Sequence, residues 1–148
     1  MRILMIAALA ALPLPALAAD VVGNWACTAQ KGETSVTNAL NLRKNGKYTS
    51  DINITGTSQG AAIDFSGSLK GRYTLDGNIL TTTPTKVKPT SAKVNGTDLM
   101  QDKTLKATIE QQLSAQMSAM QGQLSITELT DATMVFGSGD GATRCTQR

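Results

Sequence analysis

The chain has 148 residues, with 14 lysines and arginines against 11 carboxylates, two cysteines and no histidine. Without histidine there is no Ser-His-Asp or Cys-His nucleophile pair and no imidazole metal ligand, and a net charge of +3 is too small to argue for nucleic acid or a membrane surface as partner. The few aromatic residues, Trp25, Tyr48, Phe65, Tyr73 and Phe136, predict a modest core made mainly of Leu, Ile, Val and Ala.

Residues 1–18 read as a cleavable signal peptide. Arg2 supplies a positive start, Ile3 to Leu14 an apolar run, and Ala16-Leu17-Ala18 a small-x-small cleavage site, so the mature chain is expected to begin at Ala19. The apolar run of about 15 residues is short of the roughly 20 that span a bilayer. No cysteine follows it directly, as a lipid anchor would require. The expected location is therefore bacterial periplasm or the exterior, and residues 19–148 form one domain. In that oxidising setting Cys27 and Cys145 are expected to pair. The bridge would close a loop of about 118 residues, for which chain entropy predicts about 5 kcal/mol at most.

The first predicted strand surrounds Trp25, and Lys31-Gly32-Glu33 turns the chain. Val36, Leu40 and Leu42 share one parity, as a strand with one buried face requires. Asn45-Gly46 is a hairpin signal. Tyr48, Ser50, Ile52 and Ile54 alternate with polar residues. A long run then holds Ile63, Phe65, Gly67, Leu69, Gly71, Tyr73 and Leu75 on one parity, and its two mid-run glycines predict bends or bulges in a curved sheet. Asp76-Gly77-Asn78 turns into a strand over Ile79 to Thr83.

Pro84 to Pro89 breaks the alternation and is expected to be a basic connector opening a helical insertion near 84–122. Within it Leu105, Ile109, Leu113, Met117 and Met120 recur at helical spacing and form one apolar stripe, with Asp102 as N-cap and Gly122 as the residue after the helix. The stripe is expected to pack on the barrel. Its functional alternatives are a lid over an apolar cavity and a contact surface for a protein partner. Strand rhythm resumes at Gln123, and further strands cover Asp131 to Phe136 and Thr143 to Gln147. The expected fold is mainly β: an antiparallel up-and-down barrel of about eight strands with one inserted amphipathic helix. Neighbouring first and last strands would suit the Cys27–Cys145 bridge.

Gly23-Asn24-Trp25 at the start of the first strand, with Arg144 in the last, resembles the lipocalin and calycin group. Leu42 to Tyr48, Gly71 to Leu80 and Ile126 to Val135 look like short bacterial lipocalin-like domains. The resemblance implies that Trp25 plugs the closed end of the barrel with Arg144 packed over it. It also implies a small apolar ligand in the barrel.

Other chemistry is sparse. Asp51 and Asp64 could meet across neighbouring strands, but both lie opposite the apolar parity and read as solvated surface. Asp140 alone in a Gly-rich turn is too few ligands for calcium. No metal, cofactor or enzymatic activity is expected. The expected function is a non-catalytic, monomeric, exported binding protein. The alternative is a periplasmic inhibitor acting on another protein, such as a protease or lysozyme, with the 84–122 insertion as its contact element.

Overall fold

The computed structural model of the protein describes residues 20–119 and 122–148; the expected signal peptide lies outside the described residues. The chain runs β1 (Gly23–Lys31), β2 (Thr34–Leu42), β3 (Lys47–Ser58), β4 (Ala61–Asp76), β5 (Ile79–Val94), β6 (Thr97–Asp98), α1 (Lys103–Ala119), β7 (Gly122–Leu129), β8 (Thr133–Phe136) and β9 (Thr143–Gln147), with a 3-10 turn at Gly139–Gly141 before the last strand. All strand pairings are antiparallel. β1 to β5 pair in succession, β5 pairs with β7, and β7, β8 and β9 lead back to β1, so eight strands close a ring. β6 is a two-residue stub that folds back on the end of β5. The expected barrel with one helix is present.

Each strand buries its apolar parity because successive side chains point to opposite faces. Trp25, Leu42, Leu80, Met134 and Cys145 are fully buried inside the ring, joined by Leu40, Tyr48, Leu69, Ile126 and Phe136. Cys27 and Cys145 face each other in the β1–β9 register and form a disulfide, so the covalent link lies across the strand pair that closes the ring.

The expected connector at Pro84 to Pro89 is instead the middle of β5, a continuous strand of 16 residues paired along β4. Two features admit prolines there. The β4–β5 ladder shifts register between Ser66 and Gly67 and again between Lys70 and Gly71, and Pro89 and Pro84 stand opposite those two glycines. In addition, β5 meets β7 only from Ile79 to Thr82 and β6 only at Lys93 and Val94, so from Thr83 to Ala92 one edge of β5 has no partner strand among the described residues. Proline, which lacks an N–H, is tolerated at such edges and bulges. The insertion therefore begins after Val94, not at residue 84.

Gly71 shows why glycine is needed at one shift. A Cβ there would collide with the Thr83 carbonyl oxygen and sit 2.7 Å from the Tyr48 ring and 2.9 Å from Pro84 Cα. The bare backbone lets β5 bend inward and the Tyr48 ring cover it. At the tip of β5, Asn95 and Gly96 both take positive φ, 49° and 79°, which makes the tight turn into β6.

α1 starts where expected: the Asp102 carboxylate accepts from the backbone N–H groups of Thr104 and Leu105 at 2.8 and 3.1 Å. Gly122 opens β7 rather than ending the helix. The helix packs mainly on β5, the strand left without a second strand neighbour from Thr83 to Ala92. Leu105 is 46% exposed, while Ile109 and Leu113 are half-buried. The side chain of Met117, and Met120 altogether, lie outside the described residues. On the polar flank Lys103 is exposed, and Lys106 meets Glu110 at 3.9 Å with both side chains near half exposure.

Candidate ligand cavity

Inside the ring the side chains do not fill the space. A cavity of about 250 Å³ remains between the plugged end and the far rim. The plug is built from the chain terminus upward. Trp25 is 1% exposed, and its indole N–H donates to the Val21 carbonyl at 2.9 Å, so the buried ring has its one polar group satisfied. Val21 is itself buried and belongs to the same core cluster as Trp25. At the same end the Tyr73 hydroxyl donates to the Arg43 carbonyl at 2.7 Å, tying β4 to the β2–β3 turn. Burial first, and the nearby Asp20 carboxylate second, hold the Tyr73 phenol above its ordinary pKa.

Arg144 does not take the place implied by the lipocalin resemblance. It stands opposite Thr28 and Val135 on the outer parity of β9 and is exposed, because Cys145 beside it occupies the inward position. The β9 residue opposite Trp25 is Gln147. Arg144 therefore does not cover Trp25, whereas Arg148, whose N–H donates to the Asn24 carbonyl at 2.9 Å, borders a surface depression with Trp25.

Leu40, Ile52, Leu69, Leu80 and Phe136 supply apolar wall. Asn38, Tyr48, Ser50, Thr82 and Thr143 interrupt it with polar groups. Ser50 is 4% exposed and donates its hydroxyl to Asn38 Oδ1 at 2.7 Å. Tyr48 also borders the space, and burial raises its phenol above the ordinary pKa, so the hydroxyl keeps its proton at neutral pH. Among the described residues lining the cavity none carries a charge at that pH.

The cavity reaches the place where β5 and β7 part. Their ladder ends at Thr82 opposite Gly122, and both of these, with Pro84 and Leu124, border the cavity. Leu124 has inward parity, opposite Leu80, yet is 40% exposed, which marks it as rim. No helix side chain lines the cavity among the described residues, so Leu105, Ile109 and Leu113 are not brought to it.

Asn38 and Ser50 carry the polar character of the cavity and were not singled out in the sequence. The signal was present: each is a polar residue on the apolar parity of its strand, between Val36 and Leu40 and between Tyr48 and Ile52. Asp51 and Asp64 do not meet, since the β3–β4 register sets Asp51 opposite Ser68 and Asp64 opposite Thr55. No group of three or more potential metal ligands occurs among the described residues, and no described helix is long and apolar enough to cross a membrane.

No family model matches the chain, and no curated protein matches it. Among solved structures it is similar to an uncharacterized protein from Bacteroides eggerthii, with 12% identity, 87% of this chain and all of that chain covered, and a TM-score of 0.38.

Proposed function

We propose that the protein is a non-catalytic binding module that holds one small, uncharged, apolar molecule inside its barrel. The supporting observation is the apolar-walled space of about 250 Å³ within a closed and disulfide-linked ring. Its size suits a modest ligand: an apolar cavity of about 150 Å³ accepts benzene, so this one has room for a bicyclic ring or a medium-length alkyl chain. The uncharged wall selects against a carboxylate, which would lose its hydration with no cation to meet it. Asn38, Ser50 and Tyr48 would receive one hydroxyl or carbonyl group. The Gly23-Asn24-Trp25 start and the buried Trp25 support a lipocalin-like reading of this barrel, from which the exposed Arg144 departs. The leader-like N-terminus and the disulfide support export to an oxidising compartment.

Titration calorimetry with 2-naphthol, 1-octanol and octanoate tests this reading. The neutral probes are expected to bind, octanoate at pH 8 to bind at least tenfold more weakly, and Ile52→Trp, which fills the space from the wall, to abolish uptake. Absence of uptake of either neutral probe by the wild-type protein, or equal uptake by Ile52→Trp, defeats the proposal.

A further inference from the structure

The small net charge hides a strongly divided surface. Outside the leader-like segment there are 13 cationic side chains, of which eight fall between Arg43 and Lys93 among only three carboxylates. The sheet register gathers five of them on one outer face. Lys47 of β3 stands directly opposite Arg72 of β4, and Lys70 of β4 directly opposite Lys86 of β5. Lys88 follows two residues after Lys86, opposite Ser68. All five are exposed. Opposed positions on an antiparallel pair lie about 5 Å apart at Cβ, where like charges destabilise the sheet, and same-face neighbours along a strand lie about 7 Å apart. One exposed carboxylate shares the face: Asp51 of β3 stands opposite Ser68, in the same cross-strand row as Lys88. Lys93, further along β5, is different: Asp64 and Asp98 flank it in the register. Ser68, Lys70, Lys86 and Lys88 also line a surface depression of about 260 Å³, large enough for a phosphate-bearing headgroup.

From this juxtaposition we propose that the outer face of β3, β4 and β5 docks the protein on an anionic phospholipid surface. Two repeated like-charge oppositions are a cost to the fold that an anionic partner would offset. The face between the cations carries Thr49, Ser68 and Thr83, small side chains that leave the long cationic ones free to reach a plane. It carries no aromatic ring: Tyr48, Phe65 and Tyr73 all have inward parity, which removes the stacking platform that a single-stranded nucleic acid would use. Near an anionic bilayer each added lysine or arginine strengthens binding by about fivefold. This inference stands apart from the cavity and does not depend on it.

The test is sedimentation of the purified, disulfide-intact protein with phosphatidylglycerol vesicles, with phosphatidylcholine vesicles and with soluble heparin as the other arms. The wild-type protein is expected to bind phosphatidylglycerol vesicles at low ionic strength and to ignore phosphatidylcholine. Lys70→Gln/Lys86→Gln/Lys88→Gln should weaken that binding on the order of a hundredfold. It should melt no lower than the wild type, since a like-charge opposition is removed. A control with the same charge loss elsewhere, Lys31→Gln/Lys103→Gln/Lys106→Gln, should bind nearly as the wild type does. Failure of the wild type to bind phosphatidylglycerol vesicles, binding of heparin alone, or an equal loss in the control overturns the proposal.

Discussion

The plugged end of the barrel and the β5 edge use the same kinds of strand, yet differ in what covers them. At the plugged end, strands from both sides of the closure meet, and Trp25, Leu42 and Met134 lose essentially all contact with solvent. Along β5 from Thr83 to Ala92 only β4 continues as a strand partner, and α1, with Leu105 exposed and Ile109 and Leu113 half-buried, packs on β5. A ring held by few residue pairs at β5–β7 and β9–β1 is enough to close a core, provided one end is packed solid. The remainder of the barrel can then stay hollow, open at a fork, and bear unfavourable surface charge.

The largest effect is expected at the plug. Trp25→Ala removes a fully buried ring and leaves a void that the surrounding strands cannot close, for a loss of about 3–5 kcal/mol measured by urea unfolding. A loss under about 1 kcal/mol would mean that the two ends contribute alike. At the β5 edge, Leu113→Ala is expected to cost about 1 kcal/mol or a little more, well below the range for fully buried leucine, because the side chain is only half-buried. Leu105→Ala should change stability very little, its side chain being near half exposure. Costs of the fully buried size at both positions would show the helix to be core and the contrast to be false.

The smallest effect is a pH dependence. Tyr48 has its native pKa raised by burial, whereas the unfolded chain releases that proton near pH 10. Above about pH 10 the unfolded state therefore ionises first, and stability falls as pH rises toward the native value. Tyr48→Phe should flatten part of that alkaline decline while leaving the stability at pH 7 little changed. An unchanged slope in melting temperature from pH 9 to 11 would indicate that the phenol is solvated.

Much of the architecture was legible because strand parity and tight turns are local properties. The alternation in β2, β3 and β4, the turns at Asn45-Gly46 and Asp76-Gly77, the capping Asp102 and the helix α1 follow from residues a few positions apart. The bulges signalled by Gly67 and Gly71 occur opposite those residues. The errors came where a local signal has a remote cause. Pro84 and Pro89 read as a strand breaker because a proline forbids a paired N–H. Whether that N–H would have had a partner depends on where β7 begins, some forty residues later in the chain.

The candidate site divides in the same way. Asn38 and Ser50 share the inward parity of apolar neighbours, a pattern visible in the chain, but only the β2–β3 register sets them side by side and joins them by a hydrogen bond. Arg144 was placed by resemblance on Trp25, and the parity of β9 sends it outward once Cys145 must face Cys27. What the sequence determined by itself was the period-two burial of the strands, the turns between them and the one amphipathic helix, because these depend on backbone sterics and on neighbours within a few residues. What only the tertiary structure decided was which strand lies beside which: the hollow between them, the fork that opens it, and the meeting of Lys47 with Arg72 and Lys70 with Lys86. Register couples residues far apart in the chain, and neither composition nor net charge records it.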